Sequence, residues 1–215
     1  MTLLIFLFRS FFYLLYHQFA RTYDLVAALV SLGRWRSWVS SVLPHLDGRV
    51  LEIGFGPGHL QQSLNERGLT AYGIDESRQM AAQANRRLHR HHYPANLARG
   101  FAQQLPFPKN SFDTVVATFP TEYIFQLQAL REIRRVLAPG GSLVVAPTAW
   151  ITGTGLLERL AAWLFTVTGQ TGAIEATLPG MQARIRSAGF SVRHELVELK
   201  GSRVLLIIAS PYTDI

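Results

Sequence analysis

The chain has 215 residues, 48% of them hydrophobic, and a formal charge of +7. That length allows one full domain plus an appendage, and the apolar share excludes wholesale disorder. Cysteine is absent, which excludes a disulfide framework, a thiolate metal site and a cysteine nucleophile, and which fits a reducing compartment.

The first segment, "LLIFLFRSFFYLLY" (3–16), is intensely apolar but interrupted by Arg9 and Ser10. It falls short of the roughly 17–25 apolar residues of a membrane span. It also lacks the basic start and small-residue cleavage site of a secretory signal. As a helix it would place Arg9, Tyr13 and Tyr16 or His17 in one narrow polar stripe. Two readings stay open. Residues 1–20 could lie in a membrane interface, giving a cytoplasmic protein held peripherally at the inner face, or they could pack on their own domain or a second subunit. The next stretch, 22–43, has helical apolar spacing, should be interrupted or kinked at Gly33, and ends at "PHLDG". The expected division is therefore an appendage of apolar and amphipathic helices, 1–46, and one α/β domain, 47–215.

From residue 49 strands and helices alternate. "RVLEI" is a buried strand, "GHLQQSLNERG" a helix ended by Gly68, "LTAYGID" a second strand and "SRQMAAQANRRLHRHH" a second helix. "ANLARG" is a weak third strand and "SFDTVVATF" a fourth, rich in β-branched and aromatic residues. One helix over "EYIFQLQALREIRRVLA" follows, then a "PGG" turn and a fifth strand, "SLVVAPT". "GLLERLAAWLFTVTG" and "LPGMQARIRSAG" read as helices, and "FSVRHELVELKGSRVLLIIAS" as a hairpin turning at Lys200-Gly201. Repeated β-α units demand a parallel sheet with right-handed crossovers. The expected fold is a Rossmann-like three-layer α/β sandwich: seven strands, mostly parallel, a C-terminal antiparallel hairpin strand, and N-terminal helices.

The loop after the first strand, "LEIGFGPGHL" (51–60), alternates Gly54, Gly56 and Gly58. A dinucleotide fingerprint would need glycine where His59 stands, and no Gly-Lys-Ser/Thr follows for a P-loop. Glu52, at the carboxyl end of its strand, would repel a phosphate and suit a cation or an amine. Asp75 ends the second strand, where an acid commonly takes the two hydroxyls of a ribose. A ribose and an ammonium on one ligand without phosphate describe S-adenosylmethionine.

"VLEIGFGPGHL", "YGIDESRQM", "AQQLPFPKNSFDTVVATF" and "ALREIRRVLAPGGSLVV" together resemble, in order and spacing over about 49–147, the class I S-adenosylmethionine-dependent methyltransferases, in particular the type 11 domain. The resemblance implies that Glu52 and the backbone of Gly54, Phe55 and Gly56 hold the methionine end of the cofactor. It implies that Asp75 accepts from both ribose hydroxyls, that Glu76 and the residues to Met80 wall the adenosine, and that Ala102 and Gln103 meet the adenine edge. Where the family commonly has an acid, this chain has Phe101; Gln103 or a backbone carbonyl could substitute, or the ring could cover the base apolarly. "TFPTEYI" (118–124) lies where the family lines the junction of cofactor and acceptor, which makes Thr118 a cofactor contact and Glu122 and Tyr123 the candidates to orient an acceptor. Pro120 and Thr121 could equally be a turn and helix cap. Tyr23 resembles a lid over the cofactor.

Methyl transfer needs an acceptor in line and about 3 Å from the methyl group, shielded from water. A general base is needed only where the acceptor must lose a proton. No metal-ligand cluster is visible: His89, His91 and His92 lie on a basic helix without acids, and His59, at the start of the loop helix, could face the site or be a helix-surface residue. The apolar 1–16 and 150–165 segments point to a small lipophilic acceptor such as a quinone precursor, a phospholipid amine or an isoprenoid or polyketide intermediate. The basic stretch 77–99 would suit phosphates, with lipid headgroups ahead of nucleic acid, or would be an ordinary solvated helix face. No nucleic-acid partner is expected, and oligomerisation is left open. The alternative is a non-catalytic, methyltransferase-like protein that binds membrane or a partner.

Overall fold

The computed structural model describes residues 31–153, 155 and 174–212. Residues 1–30, Tyr23 among them, and the apolar helix expected from 155 to 169 lie outside these apart from Gly155.

The elements are α1 (Trp35–Ser40), a 3-10 turn (Leu43–His45), β1 (Arg49–Ile53), α2 (His59–Glu66), β2 (Thr70–Asp75), α3 (Arg78–Arg90) and β3 (Leu97–Arg99). They continue with β4 (Phe112–Thr118), a 3-10 turn (Glu122–Phe125), α4 (Leu127–Val136), β5 (Leu137–Ile151), α5 (Ile174–Ser187), β6 (Phe190–Leu199) and β7 (Ser202–Pro211). All seven strands form one sheet in the order β3-β2-β1-β4-β5-β7-β6. β1 to β5 are mutually parallel, while β7 runs antiparallel to both β5 and β6. The seven-stranded sandwich expected from the sequence is the fold observed. Its order reverses between β1 and β4, and at such a switch point open α/β sheets bind ligands.

Successive residues of a strand face opposite sides of the sheet, so both faces can be apolar only if both are covered. Leu51, Val115, Val145 and Ile207 point into a core with Leu130 and Ile133 of α4 and Ile185 of α5. Their neighbours Val50, Val116, Val144 and Leu206 point into a second core with Leu60 and Leu64 of α2. Trp38, Val39, Val42, Leu43 and Leu46 are buried in that same layer, so the segment from α1 onward, placed by the sequence with the N-terminal appendage, packs on this face of the sheet. The Trp38 indole donates to the Ser202 hydroxyl at 2.8 Å and fastens α1 to β7. Gly33 does interrupt the expected helix: its φ is +77° and it sits in the turn before α1.

The long helix expected over 122–138 is two elements. Gln126 is extended (φ −70°, ψ 138°) and its N–H closes a 3-10 turn on the Tyr123 carbonyl. Ile124 and Phe125 are both buried. Phe125 continues the inward stripe of Ala129 and Ile133 at spacings of four, but Ile124 lies on the opposite side of such a helix, so a continuous helix could not bury both Ile124 and that stripe. β5 runs longer than expected, because Leu137 already pairs with Phe112 before a register shift brings Ser142 opposite Thr114. At the end of β4, Phe119 adopts a left-handed φ of +50° and packs its ring 4.7 Å from Trp35. That conformation is costly for a bulky residue, and it turns the chain sharply out of the sheet.

Candidate active site

The carboxyl ends of β1, β2 and β3, with the segment after β4, enclose a cleft of about 240 Å3. Ile53, Gly54, Asp75, Glu76, Phe101 and Tyr123 are among its walls, with Ala102, Gln103 and Thr121 beside them. This is the crevice at the switch point of the sheet.

The glycine loop makes the close approach possible. Gly54 has a φ of +75° and donates to the Ile74 carbonyl at 2.7 Å, tying the loop to the end of β2. A β-carbon at Gly54 would lie 2.6 Å from the Tyr123 hydroxyl, so a side chain there would expel that phenol. Gly58, at φ +83°, precedes α2, and a β-carbon on it would lie 2.8 Å from that of Ala84. Its smallness lets α2 and α3 meet closely. Phe55 is buried, packed where a side chain on Gly73 would otherwise stand, so the loop offers backbone rather than side chains to the cleft.

Asp75 is held at both oxygens. Oδ2 accepts the Gly56 N–H at 2.9 Å and Oδ1 the Ser77 N–H at 2.8 Å. Each oxygen keeps a second lone pair, so the carboxylate can still accept from two adjacent hydroxyls. Burial raises its pKa, the two backbone donors oppose that rise, and the charge of Glu76 adds to it. Ser77 then caps α3 by accepting the Met80 N–H at 3.3 Å.

Glu52 is buried behind the loop rather than lining the cleft. Its Oε2 accepts from Gln61 Nε2 at 2.9 Å, and the same nitrogen donates to the Tyr72 carbonyl at 3.0 Å. Burial drives the Glu52 pKa up to about 8, with Gln61 opposing and the charge of Asp75 contributing. Among the described residues neither Glu52 nor Asp75 has a cationic partner, and no lysine or arginine lines the cleft. Two buried acids side by side without a cation form a site short of positive charge. That donor set fits a ligand carrying an ammonium or sulfonium and a vicinal diol.

The other expected residues divide. Glu76, Ala102, Gln103 and Tyr123 line the cleft with Gly54 and Asp75. Gln103 also donates to the Gln126 side chain at 2.8 Å, and Phe101 stands at the rim with 60% of its surface exposed. Thr118 is paired with Ala146 in the sheet and Glu122 is exposed; neither is among the cleft walls. His59 faces the Arg87 guanidinium at 3.3 Å, away from the cleft. Gln61, the polar partner of Glu52, was not singled out from the sequence; its only signal is a glutamine beside Leu60 and Leu64 on the buried side of α2. Among the described residues no group of histidines and acids could hold a metal ion, and no helix is long and apolar enough to cross a membrane.

Comparison with known proteins agrees with this geometry. The family described as "Methyltransferase domain" matches residues 51–145. A demethylmenaquinone methyltransferase of Thermus thermophilus is 33% identical over 85% of this chain and 94% of its own length. A ubiquinone/menaquinone biosynthesis C-methyltransferase of Rubrivivax gelatinosus is 30% identical over 82% and 78%. A crystal structure described as an S-adenosyl-L-methionine-dependent methyltransferase of Methanococcus maripaludis superposes with a TM-score of 0.68 at 16% identity, covering 91% and 94% of the two chains. With a cleft that offers glycine backbone and uncompensated acids at the switch point of a seven-stranded sheet, the chain belongs to the class I S-adenosylmethionine-dependent methyltransferases, enzymes whose cofactor is S-adenosylmethionine.

Proposed function

We propose that this chain methylates a quinone-type lipophilic acceptor, the class named for its relatives from Thermus thermophilus and Rubrivivax gelatinosus. The observation that carries the site assignment is the pair of buried acids, Glu52 and Asp75, beside a glycine loop with no cation of their own. In this reading Asp75 takes the ribose hydroxyls and Gly54 and Gly56 let the methionine end approach the backbone. Glu52, oriented by Gln61, meets the amino group directly or through water. Ala102 and Gln103 border the adenine, and Phe101 covers its exposed face.

When bound, the cofactor supplies an electrophilic methyl group on a sulfonium. The chain contributes position and dryness. Tyr123, whose hydroxyl overhangs Gly54, is the group best placed to hold an acceptor oxygen; Glu122, on the exposed side of the same turn, would act only at the mouth. Holding a phenolic oxygen in this way orients the acceptor ring, and exclusion of water keeps the approach in line. Peripheral membrane contact through residues 1–20 would bring such an acceptor to the cleft.

The test is transfer of a labelled methyl group in neutral detergent to demethylmenaquinone reduced beforehand with dithionite, since only the hydroquinone is nucleophilic and carries phenolic oxygens, and, separately, to water-soluble phenols and amines. Label in the lipid extract, with kcat lowered at least tenfold in Tyr123→Phe and KM for the cofactor unchanged, is the expected result. Transfer confined to water-soluble acceptors would overturn the acceptor class.

A further inference from the structure

We propose that the outward face of α3 is an electrostatic docking surface for an anionic lipid bilayer. The helix buries Met80, Ala84 and Leu88 and so turns its opposite face to solvent. That face carries Arg78, Arg86, His89 and Arg90, all exposed. From Ser77 to Phe112 the chain has five arginines, one lysine and three histidines without a single acid. Solvated helix faces ordinarily intersperse both signs.

The contrast in pairing is internal to the molecule. Arg49, Arg135, Arg193 and Arg203 each face a carboxylate. Among the described residues Arg78, Arg86 and Arg90 form no ion pair. Their charge is left for something outside the chain.

Position selects the partner. α3 starts at Arg78, one cap residue after the cleft residues Asp75 and Glu76, and its 13 residues reach about 20 Å from the mouth. Phe101, 60% exposed, stands at the same mouth. A bilayer along this face would meet arginines over the length of the helix and an aromatic ring at the cleft. Between Arg78 and Arg90 the helix carries no Phe, Tyr or Trp for base stacking, which single-stranded nucleic acid would want among its basic residues. The choice of lipid also rests on the proposed lipophilic acceptor, since a surface that seats the cleft at a bilayer serves such a substrate.

The experiment is co-sedimentation of the full chain with vesicles of phosphatidylcholine alone and of phosphatidylcholine with 30 mol% phosphatidylglycerol (about that fraction gives a strongly negative surface), at low and high salt. Wild type should bind the anionic vesicles more tightly and lose that excess in salt. The R86Q/R90Q variant should bind them roughly 25-fold more weakly, about fivefold per arginine, and bind neutral vesicles as wild type does. Both residues are exposed and outside the cleft, so the circular dichroism and cofactor affinity of the variant serve as folding controls. Equal binding of wild type and variant to anionic vesicles would overturn the proposal. So would tight, R86Q/R90Q-sensitive binding to duplex DNA or RNA with none to vesicles. Turnover of pre-reduced demethylmenaquinone in neutral detergent, measured in parallel, reports the acceptor reading alone.

Discussion

Replacing Glu52 by glutamine isolates the cost of placing an acid behind the glycine loop. The carboxyl has a pKa of about 8 in the fold against 4.5 in the reference state. Between those values the folded chain holds a proton that the unfolded chain has released, so this group makes stability fall as pH rises. At pH 7 the difference amounts to about 2.5 pH units, or about 3 kcal/mol relative to acid conditions, and above pH 8 it levels off at about 5 kcal/mol. Glutamine cannot titrate. Asp75, also raised by burial, titrates in both proteins and cancels to first order. The stability of Glu52→Gln minus that of wild type should therefore climb by about 3 kcal/mol from pH 4.5 to pH 7, whatever its offset at the start. That offset includes about 1–3 kcal/mol for an amide hydrogen left without an acceptor, so only the slope is diagnostic. Urea unfolding of both proteins at half-unit pH intervals measures it. Parallel stability curves would show that Glu52 is ionised in the folded chain and would refute the reasoning.

Asp75→Asn replaces an acceptor by a donor facing either the Gly56 or the Ser77 N–H, and it removes an acceptor for the ribose. Cofactor affinity measured by calorimetry should fall about 30-fold or more, as for loss of a hydrogen bond to a charged group. Gly58→Ala should lower stability by about 2–3 kcal/mol, combining a left-handed φ with a 2.8 Å contact to Ala84. The double variant G58A/A84G should not restore wild-type stability, because the Ala84 Cα also lies 3.0 Å away and a glycine inside α3 costs about 1 kcal/mol, as thermal melts would show. Phe101→Ala should leave the melting temperature within about 2 °C of wild type, because the ring is 60% exposed, while weakening cofactor binding about three- to tenfold by loss of stacking. An unchanged Kd would remove Phe101 from the adenine wall.

Much of the fold was legible because parallel strands buried on both faces read as short runs rich in β-branched and other apolar residues. "RVLEI" and "FDTVVAT" could scarcely be anything else, and their order with the helices fixed the sheet class. The break at Gln126 was not legible. Helical periodicity runs through it from Phe125, and the burial of Ile124, which a continuous helix would turn away from the core, goes with the break there. The placement of α1 was hidden for a similar reason, since an indole reaching Ser202 across 164 residues leaves no local trace.

The site divides along the same line. Acids at strand ends and glycines after them are fixed by the register of their strands, so Glu52, Gly54 and Asp75 could be named from sequence alone. Beyond β4 the left-handed turn at Phe119 rotates the chain by an amount no periodicity records: of the residues named there Tyr123 meets the cleft, Thr118 and Glu122 do not, and Thr121 does. Gln61 was invisible because its partner lies on another element. Yet that glutamine explains how the site tolerates Glu52: one donor shared between a carboxyl and the Tyr72 carbonyl holds the acid in place without neutralising it. A lysine there would lower the pKa and satisfy the charge, leaving a ligand's ammonium little to gain. An aliphatic residue would leave the carboxyl free to turn away. A neutral donor keeps the acid oriented and its pKa high, so a positively charged ligand would draw off the proton and recover part of the free energy that burial of the charge costs.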